Sequence, residues 1–158
     1  GFNLLANFIA APFNGLLAEK VEQHLTGLSV KPTTVGDLMA TIPRAIGREI
    51  SKLSYYLPRV VMLLIISFIP GLNVVVPWLW LLFGAWMMAI QYVDYPMDNH
   101  QLSFADVKEA VRSRRLSSMC FGGVVALCTG IPIVNFFVVP AAVVGATLLW
   151  CEELDRVR

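Results

Sequence analysis

Two asparagines stand in matching surroundings, Ile69-Pro70-Gly71-Leu72-Asn73 and Ile131-Pro132-Ile133-Val134-Asn135. Pro70 removes a backbone donor and clashes with the preceding turn, Gly71 admits a positive φ, and an asparagine can cap a helix that starts afresh. Pro132 repeats the device. Asn73 and Asn135 are therefore each expected to begin a helix whose free N–H groups and positive dipole end attract an anion. The same spelling also turns a hairpin with no ligand at all. Arg59, directly after Pro58, would line an entrance for such an anion together with Arg44, Arg48 or the group Arg112, Arg114 and Arg115. The competing reading has Arg59 snorkelling to lipid headgroups and the later arginines forming a solvated or lipid-facing basic cluster. Asp94 and Asp98 flank Tyr95-Pro96-Met97 at the end of an apolar stretch, where a carboxylate is expected to pair with an arginine that the sequence does not identify.

Other chemistries lack their residues. Gly-x-Ser-x-Gly, a phosphate-binding loop and His-Glu-x-x-His are missing from the chain. The adjacent Glu152 and Glu153 read as a solvated tail, and His24 and His100 are isolated in sequence, so neither an enzyme, a metal site nor a cofactor is expected. Cys120, Cys128 and Cys151 all lie in apolar sequence and are expected to pack there. On one helix the first two are roughly 12 Å apart, beyond the reach of a disulfide.

The elements that would position these residues follow from the distribution of charge. Of the 158 residues, 57% are hydrophobic and 15% charged, with mean hydropathy +0.68. A soluble domain carries about 45–50% apolar and about 25% charged residues. This composition excludes a soluble fold of this size, a disordered chain and a disulfide scaffold, and points to the lipid bilayer as a partner. The net charge of +1 offers no basic face to nucleic acid. Charge gathers in three blocks, Glu19 to Lys52, Asp94 to Arg115 and Glu152 to Arg158, and none falls in Val60–Val93 or Leu116–Cys151.

As one helix, Leu57 to Val93 would extend roughly 55 Å, against a hydrocarbon core of about 30 Å. It must fold back, and the break falls at Pro70-Gly71. The second stretch breaks at Pro132. Each leg before its break is roughly 20 Å long, and the two stretches look like an internal repeat: Pro77 and Pro140 follow the breaks, then Gly84-Ala85 and Gly145-Ala146. Short legs with uncharged tips favour hairpins that enter the membrane and return to the same side, with Tyr55, Tyr56, Tyr92 and Tyr95 marking one interface; Trp78 and Trp80 would instead mark a far interface if the hairpin spans. The expected fold is an all-α membrane protein, with long helices extending out of the bilayer and two re-entrant, half-penetrating helical hairpins. As a single domain it divides into 1–26, the end of a transmembrane helix with its extension; 34–56, an extramembrane helix introduced by Thr33-Thr34 and kinked with its continuation by Pro43 and Pro58; 57–93, the first hairpin; 94–115, a polar connector; 116–151, the second hairpin; and 152–158, a polar tail. Gly1 in place of Met, followed by residues without charge up to Glu19, is read as truncation inside a membrane helix.

These motifs resemble a known family. Ala10-Ala11-Pro12-Phe13-Asn14-Gly15-Leu16-Leu17-Ala18-Glu19, Tyr56-Leu57-Pro58-Arg59 and Phe68-Ile69-Pro70-Gly71 are similar to motifs of the CysZ family of bacterial sulfate permeases. The long string Ala85-Trp86-Met87-Met88-Ala89-Ile90-Gln91-Tyr92-Val93-Asp94-Tyr95-Pro96-Met97-Asp98-Asn99-His100 carries the resemblance furthest, and Phe121-Gly122, Ile131-Pro132, Asn135, Pro140 and Gly145-Ala146-Thr147 complete it. The resemblance implies a multi-pass bacterial inner-membrane protein admitting sulfate for cysteine biosynthesis, as a channel or transporter, in a homo-oligomer whose protomers can insert in opposing orientations. It also implies two long membrane helices plus two pairs of half-penetrating ones. The family's N-terminal Gly-Leu-Arg-type motif, associated with sulfate binding, has no match here. A non-transporting scaffold or regulatory subunit of another permease is the alternative that short hairpins also allow.

Overall fold

The computed structural model describes residues 2–27 and 35–154, and among these every regular element is helical. Helix α1 spans Phe2–Thr26 and ends where expected. Gly27 takes φ +69° and returns its N–H to the Gln23 carbonyl at 2.9 Å, the left-handed stop for which glycine is suited. The Thr33-Thr34 start of the next helix and the last four residues of the polar tail lie outside the described residues.

Helix α2, Val35–Ser67, joins the expected 34–56 helix and the first leg of the hairpin into one element of 33 residues, about 50 Å long. Pro43 and Pro58 are both inside it. Each proline removes one rung of the ladder and crowds the carbonyls behind it. The carbonyl that Pro58 leaves without its rung is that of Ser54, and on the following residue Arg59 Nη1 donates to the Tyr55 carbonyl at 2.6 Å.

Pro70 and Gly71 lie in the turn between α2 and α3, Val76–Asn99, with Gly71 at φ +93°. Asn73 falls inside that turn and the position before α3 is Val75, which has no side-chain cap, so Asn73 does not begin the helix. The physical reason is a turn wound by backbone bonds alone: Val75 and Val76 both donate to the Leu72 carbonyl. Helix α5, Arg115–Thr129, and α6, Pro132–Leu149, form the second hairpin. Here Pro132 itself starts the helix, as proline can where its missing N–H is not needed. Asn135 is already inside it, with its N–H bound to the Ile131 carbonyl at 2.9 Å. A π-helical turn, Trp150–Leu154, continues α6.

The expected polar connector contains a further helix, α4, Phe104–Ser113, which the sequence reading missed. Its signal was present in Ser103-x-x-Asp106. The Ser103 hydroxyl accepts from the Asp106 N–H, and the Asp106 carboxylate accepts from the Ser103 N–H at 2.8 Å, a reciprocal capping box.

Packing is inverted along the molecule's length. The buried core collects where the charged blocks gather: Ala89, Ile90, Val93 and Met97 of α3, Val107 and Val111 of α4, Val143, Ala146 and Trp150 after the second turn, and Ala18 of α1. Toward the two hairpin turns the apolar side chains point outward instead, with Phe68 85% and Ile133 81% exposed. Along α2 the same inversion holds face to face. Arg48 and Lys52 turn inward, whereas Ile42, Ile46, Ile50, Leu53, Leu57 and Val61 form an exposed stripe at helical spacing. Such a face suits lipid or another protein surface rather than water. Among the described residues three helical segments, Ile42–Ser67, Val76–Asn99 and Phe137–Leu154, are long and apolar enough to cross a membrane. Helix α5 is about 22 Å long by its 15 residues and falls short of a full span.

Helices α3 and α5 approach closely through small residues. Ser118, Gly122 and Ala126 lie one turn apart on α5, and Gly122 sits against the Ala85 and Ala89 backbone. Without a side chain at 122 the two backbones can meet, the packing device that membrane helices use where lipid removes the hydrophobic drive to associate. Cys120 points to the other side of α5 and is exposed, contrary to the packed position expected of it, while Cys128 and Cys151 are half-buried; among the described residues no disulfide joins them.

Candidate functional site

Helix α2 presents a row of cationic and aromatic side chains to the inside of the molecule: Arg44, Arg48, Lys52, Tyr55 and Arg59, each one turn from the next. The row supplies two different arrangements, one closed and one open.

The closed arrangement ties α2 to the end of α3. Arg48 bonds Asp94 through Nη2, with Nε also donating to Oδ1 at 3.1 Å, and Lys52 Nζ lies 2.8 Å from Oδ2 of the same carboxylate. Lys52 reaches Glu49 at 2.7 Å, while Asp98 Oδ1 lies 3.2 Å from Arg44 Nε and 3.3 Å from Arg48 Nε. Lys52 is only 2% exposed, so its charge is held away from solvent by two carboxylates and by the Tyr95 ring, 5.7 Å from Nζ. The carboxylate partner expected of Asp94 and Asp98 is thus identified as Arg48 shared between them, with Arg44 on Asp98. Lys52 was missed, because a lysine amid Glu49, Ser51 and Ser54 reads as solvent-facing. Three cations face three carboxylates, which leaves this cluster neutral and occupied by its own partners.

Elements of the charged end are further pinned by side chains. Asn99 Nδ2 donates to the Gly15 carbonyl at 2.7 Å and Asn14 Nδ2 to the Tyr95 hydroxyl at 3.3 Å, both joining α1 to α3. His100, isolated in sequence, meets Glu22 at 2.7 Å and lies with its ring centroid 4.6 Å from that of Trp150.

The open arrangement is a cleft of about 1,050 Å³ between α2, α3, α4 and the start of α5. Arg59 lines it together with Arg112 and Arg115, which lie more than fifty positions further along the chain. The structure adds Lys108, which the sequence did not single out. Helical spacing carries Lys108 and Arg112 on one face of α4, while Val107 and Val111 bury the other. The capping box therefore sets both cations indirectly by fixing where α4 begins. Arg115 is the first residue of α5, so the positive end of that helix faces the same region.

The floor is aromatic. The Arg59 guanidinium lies over the Tyr55 ring at 3.6 Å to its centroid, Lys108 Nζ sits 5.4 Å from the same ring and 5.2 Å from that of Phe104, and Trp86 Nε1 donates to the Tyr55 hydroxyl at 3.2 Å. Four cations are set against one lining carboxylate, Glu109. Among the described residues none of the four forms an ion pair. The cleft is thus an oxyanion-attracting surface with fixed donors, whereas Asn73 and Asn135 are exposed at the far turns and do not join it. Among the described residues no cluster of three or more metal-ligating side chains occurs.

The chain is similar to known proteins along most of its length. A family model described as "Sulfate transporter CysZ/Etoposide-induced protein 2.4" matches residues 1–140. A protein named "Sulfate transporter CysZ" from Pseudomonas fluorescens strain Pf0-1 is 55% identical over 153 residues, covering 96% of this chain and 61% of that protein. Proteins of the same name from Pseudomonas fluorescens strain Pf-5 and Pseudomonas aeruginosa strain LESB58 are 53% and 51% identical, each over 96% of this chain and 61% and 62% of their own lengths. The chain spans about three fifths of the length of the curated relatives it matches.

Proposed function

The chain belongs to the sulfate transporter CysZ/etoposide-induced protein 2.4 family, and from that membership we propose that it forms part of a pathway for sulfate across the bacterial inner membrane, supplying cysteine biosynthesis. The observation that carries the reading is the convergence of Arg59, Lys108, Arg112 and Arg115 on one open cleft. A dianion is costly to dehydrate, so a conducting protein must offer donors and positive ends that replace water while holding the ion loosely enough to release it. The cleft has that character. Its cations are partly exposed, with Arg59 and Lys108 held against aromatic rings, so they attract without enclosing, and low-dielectric walls focus their field on an arriving anion. The neutral cluster of Arg44, Arg48 and Lys52 with Glu49, Asp94 and Asp98 holds the helices that carry the cleft.

The hairpins of this reading are re-entrant. Their turns carry exposed apolar side chains, and the charge of the described residues lies toward the opposite end. The chain works as a homo-oligomer, with the outward stripe of α2 covered by lipid or a neighbouring protomer.

The test is sulfate uptake by the full-length protein in liposomes, with chloride and phosphate as competitors. Neutralising Arg112 and Arg115 together (R112Q/R115Q) lowers uptake about tenfold, equivalent to about 1.4 kcal/mol, and weakens its dependence on ionic strength. Unchanged uptake would remove the cleft from the pathway, and absence of any uptake by the correctly assembled wild type would favour the scaffold reading. Asn73→Ala and Asn135→Ala, which cap no helix, leave uptake within about twofold of wild type, a difference of about 0.4 kcal/mol.

A further inference from the structure

We propose that the basic cleft also holds the phosphate of an anionic phospholipid, whose acyl chains run along the apolar sides of the same three helices. The inference rests on the reading of the cleft as an oxyanion site and adds a resident partner to it.

Size is the first reason. A tetrahedral oxyanion displaces a few waters at about 30 Å³ each, a small part of a cleft of about 1,050 Å³. That space fits a headgroup with its glycerol backbone, in the range of about 300–1,000 Å³ that larger ligands occupy. The second reason is what adjoins the cations. One turn beyond Arg59 toward the hairpin turn, Met62 is exposed on α2; one turn beyond Trp86 in the same direction, Leu82 is exposed on α3; and Leu116, the residue after Arg115, is 79% exposed on α5. Three helices thus pass from cation or indole to exposed hydrocarbon in the same sense. A free inorganic anion makes no use of that order, whereas a lipid does: its phosphate meets the guanidinium groups and its chains meet Met62, Leu82 and Leu116.

The third reason is the chemistry of the lining. Arg59 over Tyr55, beside Trp86, is an aromatic and cationic pairing that suits the polar boundary of a bilayer. Arginine also offers paired donors to two phosphate oxygens. With four cations against Glu109 alone, the cleft favours an anionic headgroup over a zwitterionic one, whose choline would bring a positive charge into it.

The test uses the full-length protein, delipidated in detergent and exposed to equal amounts of dioleoyl phosphatidylglycerol and dioleoyl phosphatidylcholine, with retained lipid counted by native mass spectrometry. Phosphatidylglycerol is retained at least fivefold over phosphatidylcholine, and R112Q/R115Q, both at exposed positions, loses that preference while keeping the wild-type melting temperature. Inorganic phosphate and glycerol 3-phosphate at the same concentration fail to displace the lipid, because neither makes the hydrocarbon contacts. Equal retention of the two lipids, an unchanged preference in the variant, or displacement by inorganic phosphate would each overturn the proposal, the last assigning the cleft to free oxyanions. Sulfate uptake in liposomes of phosphatidylcholine alone keeps the two readings apart. Uptake there without lipid preference sinks the lipid site and leaves transport standing, and lipid preference without uptake in any liposome does the reverse.

Discussion

Replacing Gly122 with alanine lowers the unfolding midpoint of the full-length protein by about 10 °C, corresponding to a loss of about 3 kcal/mol for a chain of this size. A methyl at 122 would fall on the Ala85 carbonyl oxygen and stand 2.8 Å from the Ala89 nitrogen and 2.9 Å from the Ala85 carbonyl carbon. All three are main-chain atoms of a helix, so no side chain can swing aside. Relief requires α3 and α5 to separate, and separation withdraws support from the cleft, because α3 contributes Trp86 and α5 contributes Arg115. Gly123→Ala is the control. Its methyl would meet only the Ala85 Cβ at 3.9 Å, an ordinary contact, and alanine is about 1 kcal/mol the better helix former. The neighbouring variants therefore separate in opposite directions from wild type. A melt for Gly122→Ala within about 2 °C of wild type, corresponding to less than about 1 kcal/mol, would show that the helices do not approach as described.

Gly122 illustrates which parts of the fold were legible. Turns announced by backbone chemistry could be read directly: Gly27 ends α1, Pro70-Gly71 occupies the first turn and Pro132 opens the last long helix, because a missing donor or a positive φ is a property of the residue itself. The asparagines were over-read for the converse reason. A capping side chain is optional where backbone bonds already close the turn, and those of Val75 and Val76 to Leu72 do so. Helix α2 ran on through Pro58 because one lost rung, that of the Ser54 carbonyl, is a small part of a helix of 33 residues, which a local reading of proline omits. The small α4 was hidden by polarity, although its capping box was spelled in Ser103 and Asp106.

The site divides the same way. Arg59, Arg112 and Arg115 could be singled out by type and by closeness to apolar stretches. That they meet depends on α3 passing between α2 and α5, and no local pattern encodes which helices become neighbours. Lys108 and Lys52 were the hardest. Lysine is usually solvated, and only the tertiary fold shows that one lines a cleft and the other is sealed between carboxylates.

That sealed lysine sets the second large effect. Asp94→Asn costs about 3–5 kcal/mol, the range for removing one partner of a buried ion pair, and leaves Lys52 with Glu49 and Arg48 with Asp98 as their remaining carboxylates. Asp94 is the ranking member because it serves two cations at once, Arg48 and Lys52, whereas Lys52→Met leaves Asp94 still held by Arg48. Lys52→Met is accordingly the milder change, its main loss being the partner of Glu49. The double variant is less damaged than the sum of the two, and less than Asp94→Asn alone, since it removes the buried ammonium that the asparagine had left with Glu49 as its remaining carboxylate. The coupling between the positions comes to about 2 kcal/mol or more. Arg44→Gln, at a side chain 40% exposed in a pair with Asp98, costs about 1 kcal/mol or less. Thermal melts of the four variants in one detergent give the cycle. Additive losses at 52 and 94 would mean that the two charges do not share a sealed environment. Coupled losses would make the α2–α3 junction an electrostatic clamp, and uptake should then fall in the order Asp94→Asn, Lys52→Met, Arg44→Gln, because the clamp holds the stretch of α2 that carries Tyr55 and Arg59 into the cleft.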